Sequence, residues 1–217
     1  EAVELRRHLR RHLKSAPPAA RILIMGHTPS ESLPVALEHR ATLTIFDLEQ
    51  AKTLSAAARS AGSEAVAHIK VDTGMNRLGL KPDSGSASMI AAMAELPGLK
   101  LEGIFTHLAL DSRESDRRQF ELFTGLIEAV EARGLTFELK HVCDSIGLMR
   151  YPEYRLDMVR AGALLFGVKP RNTPLSESAD IRAPFALKTR VSRLRRIESG
   201  EGVGYDSTFR APPGGAL

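Results

Sequence analysis

The pattern of apolar and polar positions divides the chain into alternating strands and helices. Short apolar runs predict buried strands, and longer segments with apolar residues every three to four positions predict helices. Six strands are predicted, over residues 21–25, 41–46, 65–71, 101–105, 137–142 and 164–168. Helices are predicted over residues 1–14, 48–61, 86–96 and 116–133. Strands alternating with helices indicate βαβ units and a parallel sheet, so the predicted fold class is α/β.

The pattern changes after Pro170. Residues 171–183 have loop composition, and Phe185–Ile197 alternates with period two and has no helix after it, which is typical of an antiparallel sheet. We therefore predict two domains, a barrel domain over residues 1–170 and the start of a β domain over residues 171–217. Six strands are fewer than the eight of a (β/α)8 barrel of ~250 residues. Either the sheet is open, or the first one or two strands precede residue 1.

Composition narrows the possible functions. No apolar stretch approaches the ~18 residues of a membrane span, and a net charge of +4 with 5% aromatic residues does not favour nucleic acid. The single cysteine, Cys143, excludes an internal disulfide framework and a four-cysteine metal site, and it favours a reducing compartment such as the cytoplasm. We name no metal ligand. The first residue, Glu1, is not methionine, and the last seven residues resemble an interrupted loop, so we expect a fragment.

Candidate chemistry lies where predicted strands end. His68, Lys70 and Asp72 share one face of a strand, and the turn after Asp72 brings Arg77 back over the same end. A structural ion pair at a strand terminus remains an alternative there. His107 follows the next strand, and a lone histidine in that place is more often structural than catalytic.

Three further segments carry candidate groups. Ser145 begins a turn after a strand, where a hydroxyl and backbone N–H groups can hold a phosphate, although ordinary helix capping explains it equally well. Arg160 precedes the last predicted strand, and Gly162 permits close backbone approach. Tyr205 lies among glycines, as expected for an exposed tyrosine on a tight turn or a hairpin tip.

Taken together and in this order, these segments resemble the alanine racemase family over nearly all of the chain. The most specific stretches are Lys70-Val-Asp-Thr-Gly-Met-Asn-Arg-Leu-Gly79, Thr106-His107, Asp157-Met-Val-Arg-Ala-Gly162 and Val203-Gly-Tyr-Asp-Ser-Thr-Phe-Arg210. The resemblance implies a pyridoxal 5'-phosphate enzyme with an eight-stranded parallel barrel and a β domain. It also implies a cytoplasmic homodimer whose active sites use both subunits, and an amino acid as substrate.

The resemblance also assigns roles to residues. It implies that Lys70 is a lysine that is often carbamylated and orients Arg77. It implies that Arg77 contacts the cofactor phenolic oxygen and the substrate carboxylate, and that Arg160 faces the pyridine nitrogen. His107 would lie between Arg160 and the catalytic tyrosine. The phosphate cradle would consist of Ser145 with the backbone around Gly162 and Ala163.

Racemisation needs a base on each face of the substrate α-carbon, and the resemblance implies that Tyr205 is one of them. A phenol with a pKa of about 10 needs nearby positive charge to act near neutral pH, which a Tyr205–His107–Arg160 relay would supply. The other base in the family is the Schiff-base lysine of a Lys-Ala-(Asn/Asp)-Ala-Tyr-Gly-His-Gly motif. This sequence contains no such motif. We therefore expect that this chain alone does not racemise alanine.

Two departures from the family pattern leave the substrate open. Asp144 stands where many members have asparagine, and Ala161 replaces the proline of an Arg-Pro-Gly motif. A broader-specificity racemase acting on serine, lysine or arginine is therefore an alternative to an enzyme that makes D-alanine for the cell wall. Two further alternatives are a non-catalytic cofactor-binding barrel, which would lack Tyr205, and a degenerate regulatory subunit.

Overall fold

A computed structural model describes residues 1–12, 20–168 and 181–216. The chain forms two compact units, Glu1–Arg182 and Ala183–Leu217, which are described separately. The predicted domain boundary at residues 170/171 and the last two residues of the first predicted helix lie outside the described residues. No helix in the described ranges is long and apolar enough to cross a membrane.

The first unit is built on a parallel sheet of six strands that follow each other in sequence order. Each connection returns the chain to the same edge of the sheet, as in the wall of a (β/α)8 barrel. The strands are β1 Leu23–Ile24, β2 Thr42–Ile45, β3 Ala65–Lys70, β4 Leu99–Phe105, β5 Leu139–Asp144 and β6 Met158–Arg160. The predicted α/β class and the first five predicted strands are confirmed.

Helices connect the strands, and short polar side chains begin several of them. The helices are α1 Ala2–His12, α2 Leu33–Glu38, α3 Leu48–Ser60, α4 Ser86–Ala94, α5 Arg113–Glu131, α6 Ser145–Arg150 and α7 Gly162–Leu165. The side chains of Asp47, Ser112 and Asp144 accept hydrogen bonds from backbone N–H groups of the first turns of α3, α5 and α6, which supplies acceptors that a helix start otherwise lacks. The one-turn segment α2 was not predicted.

The sheet separates an apolar layer from a polar interior. Leu43, Ile45, Ile69 and Ile104 belong to the buried apolar cluster that includes residues of the surrounding helices. Because side chains alternate along a strand, the residues between them point to the opposite face. That face carries Thr44, His68 and His141, all of them buried. The polar side chains therefore lie inside the barrel wall.

The sixth predicted strand, residues 164–168, is wrong. The last strand of the sheet is Met158–Arg160, and Gly162–Leu165 forms one helical turn in which Leu165 is 72% exposed. The apolar run was interpreted as a buried strand, whereas the true strand ends in an arginine. Hydrogen bonds from Arg160 to buried acceptors stabilise that strand, and such bonds leave no apolar pattern in the sequence.

The second unit contains two short antiparallel strands, β7 Gly202–Val203 and β8 Phe209–Arg210. This agrees with the predicted antiparallel character. The prediction of a strand over 185–197 is wrong, because its residues form no strand and only Ile197 makes a bridge, to Ala216. A strand needs a neighbouring strand to take up its backbone N–H and C=O groups, and the two strands of this unit in the described ranges follow this segment and pair with each other.

Candidate active site

The carboxyl ends of four neighbouring strands bring the candidate barrel residues together. Lys70 ends β3, Asp144 ends β5 and Arg160 ends β6, while His107 lies two residues beyond β4. In parallel sheets these ends lie at one edge, where active sites of barrels are found. Residues up to 90 positions apart in the sequence thus meet at one mouth.

Arg160 is the best-anchored cation at this mouth. Its Nη1 donates to His141 Nδ1 at 2.7 Å, and its Nη2 donates to the carbonyl oxygens of Val142 and Thr106 at 2.7 and 2.8 Å. The guanidinium also lies 5.3 Å from the centre of the Phe105 ring. Burial lowers the pKa of Arg160 to about 10, with the carboxylate of Asp144 opposing the shift. Arg160 is therefore a fixed cation at neutral pH.

His107 lies between that cation and a carboxylate. Its Nδ1 is 3.3 Å from Arg160 Nη2, and its Nε2 is 4.0 Å from Asp144 Oδ2. Burial lowers the pKa of His107; Asp144 opposes this and Arg160 adds to it. A guanidinium offers no acceptor, so a hydrogen on His107 Nδ1 would find no partner at Arg160, and the ring proton is on Nε2. The imidazole is neutral and points its N–H toward Asp144.

Lys70 is an unusual lysine because only 5% of it is exposed. Its Nζ donates to the carbonyl oxygen of Val71 at 2.7 Å and lies 5.6 Å from the centre of the Phe105 ring. Burial lowers its pKa to about 8; Asp72 opposes this shift, and the two arginines, Arg160 and Arg77, contribute to it. About a tenth of this amine is consequently uncharged at pH 7, far more than of an ordinary lysine.

A tight loop after β3 carries Arg77. The carboxylate of Asp72 accepts hydrogen bonds from the backbone N–H groups of Gly74 and Asn76, at 3.1 and 3.0 Å. Gly79 has φ +136°, and a Cβ there would lie 2.5 Å from the Asp72 nitrogen, so the loop requires glycine at this position. Arg77 is exposed, and no acceptor for it is found in the described part of the chain. Its guanidinium is available to a ligand.

Ser145 and the start of α7 form a cradle of hydrogen-bond donors. The buried Ser145 Oγ accepts from the backbone N–H of Leu164 at 3.3 Å, which leaves its own hydrogen free to donate. The first N–H groups of a helix have no acceptor within the helix, and no side chain caps α7. The N–H groups of Gly162 and Ala163 therefore remain as donors. A Cβ placed on Gly162 would meet nothing within 4 Å. The cradle offers three donors and open space beside them.

A line of buried polar side chains beneath Arg160 was not predicted. His141 Nε2 is 2.9 Å from His68 Nδ1, and His68 Nε2 is 3.1 Å from Glu102 Oε2. His68 had been noticed only as one of three ionisable groups on its strand. The available signal for His141 was an ionisable residue in a predicted strand, followed directly by the apolar residues Val142 and Cys143.

Tyr205 belongs to the second unit. It begins a single 3-10 turn, Tyr205–Ser207, that follows Gly204 with φ +72°, and its side chain is 97% exposed. The predicted exposed tyrosine on a tight turn is therefore observed. Its meeting with His107 and Arg160 stays a prediction.

Comparison with known proteins identifies what this arrangement resembles. The sequence profile of "Alanine racemase, N-terminal domain" matches residues 1–170. Curated alanine racemases of Desulforamulus reducens and Desulfovibrio desulfuricans are 35% and 40% identical over 88% and 87% of the chain, which cover 52% and 51% of those proteins. A solved alanine racemase of Clostridium difficile 630 has 28% identity and a TM-score of 0.84, covering 98% of this chain and 60% of its own. The chain spans about half the length of its curated relatives.

Proposed function

The chain belongs to the alanine racemase family, and we propose that it is part of a pyridoxal 5'-phosphate enzyme that interconverts L- and D-alanine. The observation that carries this proposal is Arg160, a cation held by three short hydrogen bonds and placed two residues before the uncapped N-terminus of α7. One site thus offers a fixed positive charge next to a set of free donors.

The residues present fit the proposed cofactor. The donors of Ser145, Gly162 and Ala163 suit a phosphate, since uncapped N–H groups bind anions. Of the described residues, none accepts a hydrogen bond from Nε–H of Arg160, so this group is available to a pyridine nitrogen. The exposed Arg77 is available to a phenolic oxygen and to the substrate carboxylate. When bound, the cofactor supplies the electron sink that lets an amino-acid α-proton leave.

Arg160 determines the charge of the group that it faces. With a pKa of about 10 it remains protonated near neutral pH, and it cannot take up a further proton. It can donate a hydrogen bond to a ring nitrogen but cannot support a protonated one. The resulting weaker electron sink favours simple return of the α-proton over side reactions.

Lys70 is the residue that we propose as carbamylated. Its uncharged amine, favoured by a pKa of about 8, can add to carbon dioxide, with loss of one proton as the N–C bond forms. The product carries a negative charge in place of a positive one. Attraction then replaces the repulsion between Lys70 and the two arginines, Arg160 and Arg77. The carbamate anion would also orient the guanidinium of Arg77.

Tyr205 is the residue that we propose as one of the two bases. Because His107 is neutral, Arg160 is the group that supplies the positive charge of the proposed relay, with His107 between Arg160 and Tyr205 as a hydrogen-bonding group. We further propose that Tyr205 acts in the site of a partner subunit, in a cytoplasmic homodimer that supplies D-alanine for the cell wall. The motif of the family's lysine, the second base, is not found in these 217 residues.

The full-length protein tests the proposal. Tyr205→Phe should reduce racemisation by several orders of magnitude in both directions, while exchange of the α-proton with deuterated solvent survives for one enantiomer only. Mixing this variant with one that lacks the lysine base should restore one working site per heterodimer. Tyr154→Phe, a matched change inside the barrel unit, should leave the rates unaltered. Assays with alanine, serine, lysine and arginine distinguish an alanine-specific enzyme from a broad one, and no turnover of any of them would contradict the proposal.

A further inference from the structure

A continuous column of hydrogen bonds runs through the barrel interior, away from the mouth. It starts at Arg160 on β6 and passes through His141 on β5 and His68 on β3 to Glu102 on β4. Both rings are buried, and Glu102 is nearly so. At the far end, Glu102 Oε1 accepts from Arg21 Nη1 at 2.7 Å, and the side chain of Arg21 is 63% exposed. The column therefore connects the proposed active site with solvent at the other end of the strands.

The direction of every hydrogen bond in this column follows from its upper end. Arg160 can only donate, so His141 Nδ1 accepts and the ring hydrogen of His141 is on Nε2. That hydrogen is donated to His68 Nδ1, which places the hydrogen of His68 on its Nε2. The last N–H of the column thus points at Glu102, and it requires an acceptor there.

The backbone of β4 places Glu102 where it supplies that acceptor. The register between β3 and β4 shifts at His68, so that Ala67 pairs with Leu101 but His68 pairs with Gly103. Glu102 is the extra residue of this bulge, and a bulge redirects a side chain. A Cβ on Gly103 would lie 2.6 Å from His68 Cε1, so glycine there leaves room for the ring. Bulge and glycine together bring the Glu102 carboxylate to His68.

The charge states of the column agree with these directions. Burial lowers the pKa of both rings, that of His141 to about 2, so each is neutral with one donor and one acceptor. Burial alone would raise the pKa of Glu102, but the hydrogen bonds from His68 and Arg21 outweigh it and the pKa lies below its ordinary value. An ionised carboxylate only accepts, as the column requires.

We propose that Glu102 is a positioning residue of the active site, which acts as the terminal acceptor of this column and thereby fixes the ring of His141 that holds Arg160. Glu102 makes no contact with Arg160 itself. Its effect passes through the two rings, because a ring whose donor has lost its acceptor is free to turn or to tilt. The role of the column in catalysis rests on the proposed function, whereas its hydrogen bonds are observed independently of that function.

The test separates acceptance of a hydrogen bond from negative charge. In the full-length protein loaded with pyridoxal 5'-phosphate, Glu102→Met removes the acceptor and should lower kcat roughly 10- to 100-fold, the usual effect of losing an outer hydrogen-bond partner, with a smaller change in KM. Glu102→Gln keeps an oxygen that can accept from His68 and should stay within about threefold of the parent by the same measure. Arg21→Met removes the half-exposed cation and should also stay within that range. Glu138→Met is the matched control. It removes an exposed carboxylate that pairs with Lys100, and Lys100 lies on β4 as Glu102 does.

Nitrogen-15 NMR of the histidine rings gives a readout that needs no turnover. The parent protein and the Gln variant should show protonated Nε2 and unprotonated Nδ1 in both His68 and His141, with slow exchange of the N–H hydrogens. In Glu102→Met the His68 N–H should exchange much faster.

Two results would overturn the proposal. One is a Met variant whose kcat and ring N–H signals equal those of the parent. The other is a Gln or Arg21→Met variant as damaged as Glu102→Met, because the ion pair and not the accepted hydrogen bond would then matter. If Glu102→Met does not fold, the Gln and Arg21→Met variants still decide between these readings. A parent protein without racemase activity but with the predicted ring tautomers would refute the proposed function and leave the column standing.

Discussion

Both faces of the parallel sheet carry buried side chains, but the two faces are held together by different forces. The outward face carries side chains such as Ile69 and Ile104, which pack in the apolar cluster with the helices. The inward face carries His68, His141 and Arg160, joined by directed hydrogen bonds. Apolar packing depends on volume and tolerates exchange of similar shapes. A buried polar chain depends on each donor finding its acceptor, because an unsatisfied group costs about 1–3 kcal/mol. We therefore expect substitutions on the inward face to change activity and substitutions on the outward face to change stability.

The largest expected effect is at the inward face. Arg160→Leu removes the donor to His141 and to two carbonyl oxygens, together with one positive charge at the mouth. We expect racemisation by the full-length enzyme to fall roughly 10³-fold, as for loss of a preorganised donor. Arg160→Lys keeps the charge but cannot make the forked contacts, and its rate should lie between those of the parent and of Arg160→Leu. An Arg160→Leu enzyme with the parent rate would show that this face is not the reacting one.

The outward face should respond in stability instead. Ile104 is fully buried, so Ile104→Ala should lower the free energy of unfolding by roughly 3–4 kcal/mol, the usual cost of a cavity. Chemical denaturation measures this change. The rate per folded molecule should stay near that of the parent. A large loss of rate without loss of stability would contradict the division between the faces.

Lys70 gives the inward face a pH dependence that the outward face lacks. Its pKa in the folded protein, about 8, lies below its ordinary value of 10.5, so the unfolded chain binds more protons between these two values. Stability should therefore rise as the pH increases from about 8 to 10.5, by about 3 kcal/mol. Below pH 8 the penalty of the buried charge is fully present.

Denaturation of the parent and of Lys70→Met across that range, in carbonate-free buffer, checks this contribution. The Lys70→Met protein should lack this part of the rise. Lys100→Met replaces an exposed lysine of β4, and this variant should keep the rise in stability with pH. An identical pH profile for the parent and Lys70→Met would mean that Lys70 is not buried as a charge.

The smallest expected effect is at the cradle. Ser145→Ala removes one donor to the proposed phosphate and the acceptor of the Leu164 N–H. A single hydrogen bond contributes about 1 kcal/mol, so the affinity for pyridoxal 5'-phosphate should fall several-fold with little change in the stability of the apoprotein. Ser55→Ala, which removes an equally buried hydroxyl bonded to the Pro97 carbonyl, should leave the cofactor affinity as it was. Equal affinities for Ser145→Ala and the parent would exclude this serine from the cradle.

Much of this arrangement could be predicted from the sequence, with clear limits. The apolar runs predicted five of the six strands, and the strand ends directed attention to Lys70, His107 and Arg160. The sixth strand was misplaced because the residue that anchors it, Arg160, is charged and leaves no apolar run. The segment 185–197 was assigned to a sheet because its alternation says nothing about whether a partner strand is at hand.

The sequence alone determined the order of strands and helices, the family and the residue types at the mouth, since these depend on local periodicity and on short motifs. Only the tertiary structure decided which polar groups meet. His68 and His141 are 73 residues apart, and Glu102 reaches His68 because of a one-residue bulge beside a glycine. A hydrogen bond depends on distances of tenths of an ångström and on which atom carries the proton. Those quantities are set by strand register and by the neighbouring strands, which no pattern within a single segment records.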